Sequence, residues 1–234
     1  MPTLWPFSPD ETTAILLSLD VAARSILLGF PVALAAAVAL SGRGIPGRAL
    51  LDAVVHLPLV LPPVVVGWLL LLLFGIRGPV GALLLHAFGV RLAFTTWGAA
   101  LACAVMALPL MVRAIVLSLN AMDPGLRDAA RTLGAGRADR LFSVVLPIAS
   151  PGLVTALLLG FAASLGEFGA VLTFAANIPG RTQILPLAIY TALQVPGGEA
   201  RAARLAGVSL LLAVGLLIVT DRVARALNRR LGRI

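Results

Sequence analysis

The chain has 234 residues, 60% of them hydrophobic and 12% charged, where a soluble domain carries about 25% charged residues. That balance excludes an ordinary soluble domain and calls for a lipid-facing exterior. The net charge of +8 does not indicate nucleic acid, because the arginines stand between and after apolar runs and form no single stripe.

Every one of the 18 Lys+Arg residues is an arginine. A Walker A loop needs a lysine to reach the phosphates, so this chain cannot hold ATP in that way. Any ATP-driven work requires hydrolysis by another subunit. The one cysteine, Cys103, lies in Ala102-Cys103-Ala104 and reads as a small hydrophobe, with no intrachain disulfide or cysteine metal cage to form. No Ser/Gly-rich or charged linker interrupts the chain, so residues 1–234 are expected to form one membrane domain.

A helix crossing about 30 Å of hydrocarbon needs roughly 17 to 25 apolar residues. Five stretches meet this: Ser25–Ser41, Ala53–Phe74, Ala93–Leu117, Pro151–Phe174 and Leu205–Thr220. The expected fold is therefore an all-α membrane protein with about five transmembrane helices. Asp20 and Arg24, one turn apart, form a rim pair where the first helix leaves the headgroups. No basic segment precedes that helix, so a cleaved signal peptide is not expected.

The second stretch contains Pro58, Pro62 and Pro63, which remove backbone donors and force a break or kink. Two readings are open: the break faces a pathway or cavity that satisfies the freed carbonyls, or it is a structural kink alone. Val80–Phe88, and later Ile184–Val195, are too short to span and read as external or re-entrant helices. In the fourth stretch Gly152, Ala156, Gly160 and Ser164 recur every four residues, a small-residue face that lets another helix approach closely. The pattern leaves open whether that helix belongs to the same chain or a second copy.

Between the third and fourth crossings lies a punctuated segment. Asp123 suits an N-cap, Pro124 the first helical position and Gly134 a left-handed stop. Leu126, Ala129, Ala130 and Leu133 fall on one face, with Arg127, Asp128 and Arg131 on the other. Such a helix either docks in a groove of another protein, where the paired alanines permit close contact, or lies on lipid.

Arginine bias sets the orientation. Arg43, Arg48, Arg113, the arginines between 127 and 140, and those from 222 to 233 share one side, which is expected to be cytoplasmic; Arg77, Arg91, Arg181, Arg201 and Arg204 share the other. The N-terminus is then outside and the C-terminus cytoplasmic. His56 and His86 are far apart and lack carboxylate companions in the sequence pattern, so they read as rim or packing residues and no metal site is expected.

The loop resembles the EAA-type motif of the transmembrane subunits of binding-protein-dependent ABC importers. Asp128-Ala129-Ala130, Gly134, Val144 and Leu146-Pro147 meet its spacing, with Asp in place of the usual Glu. Residues 123–147 are thus identified as the cytoplasmic coupling loop. The resemblance narrows to molybdate importer permeases in His56–Gly67, Met106–Ala114, Ala129–Gly136, Leu165–Ala170 and Asn177–Thr182. Some of these segments are shared with sulfate permeases, and tungstate is nearly the size and charge of molybdate.

The resemblance implies a type I ABC importer permease fold, a homodimer, two ATPase subunits docked at Leu126, Asp128, Ala129, Ala130, Leu133 and Gly134, and an external oxyanion-binding protein. It places ATP and Mg on the partner ATPase, with no cofactor in this chain, in the cytoplasmic (inner) membrane. Pro62, Pro63, Ser164, Glu167 and Thr173 are candidates for lining the pathway or for structural roles. Ser164, Thr173 and Asn177 can hydrogen-bond an oxyanion or glue helices together. Glu167 either faces the path or pairs with an external arginine such as Arg181; a carboxylate in the path repels an oxyanion, which favours pairing.

No arginine lies near the middle of a crossing, which fits a conduit that binds its cargo weakly. A membrane-embedded enzyme needs a clustered catalytic constellation, and a secondary carrier needs midplane ion sites and internal repeats. Glu167 alone supports neither.

Overall fold

The computed structural model describes residues 7–42, 46–121 and 145–230, with positions 125, 132, 134, 136, 139 and 143 between the last two segments. The described helices are α1 (Pro9–Ser41), α2 (Arg48–Val60), α3 (Pro63–Phe74), α4 (Pro79–Phe88), α5 (Thr96–Asn120), α6 (Leu146–Leu165), α7 (Gly169–Ala175), α8 (Leu185–Leu193) and α9 (Glu199–Arg230). Among the described residues, α1, α5, α6 and α9 are long and apolar enough to cross a membrane, and α2 with α3 make a fifth span if the bent pair counts as one.

The first helix starts well before Ser25. Ser8 Oγ accepts from the Glu11 N–H at 3.3 Å while the Glu11 carboxylate accepts from the Ser8 N–H at 2.7 Å, a reciprocal cap with Pro9 in the first turn. A helix of 33 residues is about 50 Å long, so its first turns project beyond the hydrocarbon. They are not bare: Ala14 packs with Leu185, Ala188 and Leu205, and buried Glu11 accepts from Arg204 Nη2 at 2.8 Å. Lower down, Arg24 bonds Asp20 at 2.9 Å and lies 4.8 Å over the Trp97 ring, the pairing expected at a membrane rim. Glu11→Ala removes the carboxylate half of the cap and the Arg204 contact, and is expected to lower stability by about 1–3 kcal/mol in thermal unfolding; Asp10→Ala, at an exposed site, is expected to be near neutral.

Helix α5 is the spine. Its first half, Ala99 to Cys103, is buried against Val66 and Leu70 of α3 and Val171 and Phe174 of α7. Its second half, Val112, Ile115 and Leu119, is buried against Leu40 of α1 and Val55 of α2. The pair α2–α3 therefore follows α5 from one end to the other, although its two helices are bent by 118°. The second predicted crossing is thus a sharply broken pair and not a bent continuous helix. The cause is local: Leu61 N–H still bonds Leu57 O at 3.1 Å, Pro62 and Pro63 have no N–H, and α3 restarts with Val65 and Val66 donating to Pro62 O.

The fourth predicted crossing also divides, into α6 and α7 with Gly166–Phe168 between them. On α6 the small-residue face meets helices of the same chain. A Cβ on Gly160 would stand 2.6 Å from Met111 Sδ of α5 and 2.8 Å from Ile26 Cδ1 of α1, and one on Gly152 would collide with the Ser118 side chain of α5. The two short apolar pieces are α4 and α8; α8 buries Leu185, Leu187, Ala188 and Ala192. Helix α9 exposes Leu210, Leu211, Val214, Leu217 and Ile218, a face suited to lipid.

Candidate functional site

The two broken helices meet each other. A Cβ on Gly169, the first residue of α7, would lie 2.8 Å from Pro63 Cβ and 3.3 Å from Val64 N. One turn along α3, a Cβ on Gly67 would lie 2.6 Å from Ala170 O, 2.9 Å from Ala170 Cα and 2.8 Å from Thr173 Cβ. Only hydrogen fits at both glycines, so α3 and α7 touch backbone to backbone. Beyond this contact Phe74 and Phe174 meet edge to face at 6.5 Å. Pro62, Pro63 and Val64 are exposed on the open side of the first break, and Gly166 is exposed in the second.

The carboxylate of Glu167 accepts from the Ala170 N–H at 2.9 Å and is buried. It caps α7, a local role for a residue whose side chain reaches the first free amides of the next helix. The expected pairing with Arg181 is not among the described ion pairs; Arg181 is exposed, and its carbonyl accepts from Thr96 Oγ1 at 2.9 Å. Thr173 Oγ1 donates to Gly169 O at 2.9 Å. Asn177 Nδ2 donates to Thr191 Oγ1 at 2.8 Å and Asn177 Oδ1 accepts from Gln183 Nε2 at 2.9 Å, so its side chain ties the turn after α7 to α8.

Ser164 lies in the last turn of α6, just before Glu167. It is buried, with its Oγ 2.6 Å from Ser25 Oγ of α1 and donating to Gly160 O at 2.8 Å. Cys103 is buried at the same contact, its Sγ 3.7 Å from Ser164 O. These groups join α1, α5 and α6, and Ser164 O also accepts from the Glu167 N–H at 3.4 Å, so this contact adjoins the second break. A Ser25→Ala/Ser164→Ala double-mutant cycle is expected to give a coupling of about 0.6 kcal/mol, with uptake near wild type in both single variants.

Of the coupling residues, Gly134 lies in a turn with φ 82°, while Leu126, Asp128, Ala129, Ala130 and Leu133 lie outside the described residues. His56, read from the sequence as lacking a carboxylate companion, has one a turn earlier on α2: its Nδ1 lies 3.2 Å from Asp52 Oδ1 and 2.9 Å from Asp52 O; His86 is exposed on α4. Among the described residues no group of three or more His, Cys, Asp or Glu side chains is placed to hold a metal. Gly67 and Gly169 escaped sequence reasoning as site residues. For Gly67 the signal was a glycine inside a run of branched apolar residues, where close backbone approach is the usual reason; Gly169, after Glu167-Phe168, carried no such signal.

The described helices thus form a membrane bundle in which two broken helices meet at Gly67 and Gly169. Residues 29–233 match the model of the family described as binding-protein-dependent transport system inner membrane component, and the chain belongs to that family. It is a multi-pass inner-membrane permease component, not itself a catalyst, whose system includes an ATPase and a binding protein. It is 51% identical over 223 residues to the molybdenum transport system permease protein ModB of Escherichia coli (strain K12), covering 95% of this chain and 97% of that one. The protein of the same description from Haemophilus influenzae is 45% identical over the same shares. Among solved structures, a bacterial ABC transporter involved in the import of the acidic polysaccharide alginate aligns with a TM-score of 0.70 over 97% of this chain and 85% of that one. At 18% identity that likeness concerns the fold.

Proposed function

We propose that this chain is the permease subunit of an ATP-driven ABC importer that moves molybdate across the cytoplasmic membrane. The observation that carries the substrate is the 51% identity to a molybdenum transport permease, spread over 95% of the chain. The family match carries the transport class.

In this reading the N-terminus is outside and the C-terminus cytoplasmic, following the arginine bias. Two copies form the conduit in a type I arrangement. Two ATPase subunits, which hold ATP and Mg, dock at the coupling loop of residues 123–147, and a binding protein presents the oxyanion outside. Asp128, Ala129, Ala130, Gly134, Leu126 and Leu133 form the docking helix, with the alanines at its point of closest contact. The paired breaks at Pro62-Pro63 and Gly166–Phe168 border the conduit, because interrupted backbone at membrane depth is tolerated where protein or a water-filled cavity satisfies it.

Chemically the chain offers passage. Glu167 caps α7, which gives its carboxylate a structural task at the second break. Affinity then resides in the binding protein, and weak contacts in the conduit let the cargo leave.

The test of class is reconstitution with and without the ATPase. Transport that requires the ATPase and hydrolysable ATP is the expected result, and uptake by this chain alone, driven by an ion gradient, would make it a secondary carrier.

A further inference from the structure

A groove of about 1090 Å³ opens between the end of α1, α2 and the second half of α5. Its lining runs along α2 as far as Leu59 and Val60, the residues just before the break at Leu61-Pro62. It therefore adjoins the border assigned to the conduit. Arg48 and Arg113 are also on the lining. Both are exposed, and neither is in an ion pair among the described residues. Asp52 and His56 line the groove too but engage one another, His56 Nδ1 lying 3.2 Å from Asp52 Oδ1.

The depth of Arg113 is a second, independent observation. It is the one charged residue of α5, a helix of 25 residues, which is about 37 Å long and exceeds the roughly 30 Å of hydrocarbon by only a few ångström at each end. Arg113 stands two turns, or about 10 Å, short of the cytoplasmic end at Asn120. Val116 and Leu117 lie between it and the headgroups. A charge at that depth is costly unless it meets a partner or a water-filled space, and such charges mark ion paths. With no partner among the described residues, the open groove supplies the water.

An arginine pair in a wet groove with low-dielectric walls raises the local concentration of anions, and the guanidinium fork matches an oxyanion with paired hydrogen bonds. Because both side chains stay exposed, the hold is weak and the anion can leave. We propose that this groove is the cytoplasmic exit of the conduit, and that Arg113, with Arg48 at the start of α2, forms a transit site for the departing tetrahedral oxyanion. The proposal rests on the permease reading and on the orientation given with it. The charge then stands on the cytoplasmic side of the first break, where it draws the anion onward.

The test uses the assembled importer in phosphatidylcholine nanodiscs, with Cys103→Ala and one reporter, Val60→Cys, at a side chain 81% exposed. The reporter is labelled with an anionic and with a cationic methanethiosulfonate of similar size. Labelling by both, faster with the anionic reagent and slowed by excess molybdate, is the expected result. Arg113→Gln is expected to lower the anionic-to-cationic rate ratio about fivefold, and Arg48→Gln to shift it the same way. Arg113→Lys is expected to keep the ratio, and Arg222→Gln, on α9 and outside the groove, to change nothing. ATP-driven uptake is expected to fall about fivefold in Arg113→Gln and to recover in Arg113→Lys. A reporter closed to both reagents, a ratio unchanged in Arg113→Gln, or wild-type uptake in that variant overturns the proposal. So does labelling that is slowed by added phosphatidylglycerol and indifferent to molybdate, which would assign the arginines to a lipid headgroup. An unchanged ratio beside intact ATP-driven uptake removes only this inference, whereas absent uptake before any arginine is changed removes the permease reading.

Discussion

Replacing Ala130 with arginine is expected to abolish ATP-driven uptake while leaving the helical bundle folded. Ala129 and Ala130 share a face with Leu126 and Leu133, and adjacent alanines let a partner's groove close around a helix more tightly than larger side chains allow. An arginine there must be buried unpaired or must hold the surfaces apart. Either costs on the order of 3 kcal/mol, a loss of more than about 100-fold in affinity for the ATPase. The position lies outside the described residues, so its facing is set by the sequence pattern. Arg131→Ala, on the opposite side, is the control and is expected to retain binding. Co-purification of the ATPase, thermal unfolding of the permease and uptake are read together. Wild-type ATPase binding and transport in Ala130→Arg would remove the coupling role from this helix.

Gly67→Val is expected to have the second largest effect, through the opposite route. The atoms a side chain would meet are mostly backbone, Ala170 O and Cα, with Thr173 Cβ beside them, and backbone in a short packed helix cannot swing aside as a rotamer can. Overpacking a core costs about 1–3 kcal/mol where side chains yield, and more is expected here. Helix α3 must lift from α7, which withdraws Val66 and Leu70 from the cluster they share with Val171 and Phe174. Uptake is expected to fall more than tenfold with a clear drop in melting temperature, since the loss also converts to at least that factor in population. Val64→Ala, at a side chain 53% exposed, should melt like wild type. A Gly67→Val protein with wild-type melting and uptake would show that the close approach of the two broken helices is dispensable.

The crossings were legible because each is a long apolar run, and the arginines mark their ends. Breaks were legible only where a residue cannot make the helix: Pro62 and Pro63 announce theirs, whereas the apolar run continues through Phe168 to Phe174 and hides the one at Gly166. There the deciding interaction is a single side-chain bond, from Ala170 N–H to Glu167, which no periodicity reveals. Pairing Glu167 with Arg181 matched opposite charges but could not foresee that the turn from Ala176 to Gln183 folds on its own hydrogen bonds. The early start of α1 was written in Ser8 and Glu11, three apart, yet a search for apolar length passes over a cap. Small-residue spacing on α6 implied a close neighbour without naming it. Met111, Ser118 and Ile26 are distant in sequence, and only the folded chain brings them there.

The measurement that bears most directly on the whole is uptake of labelled molybdate into liposomes containing this chain, its ATPase and a loaded binding protein, with tungstate and sulfate as competitors. ATP-dependent uptake suppressed by tungstate and unaffected by sulfate is the expected result. Uptake of sulfate in place of molybdate would contradict the substrate, and uptake indifferent to ATP would contradict the importer itself.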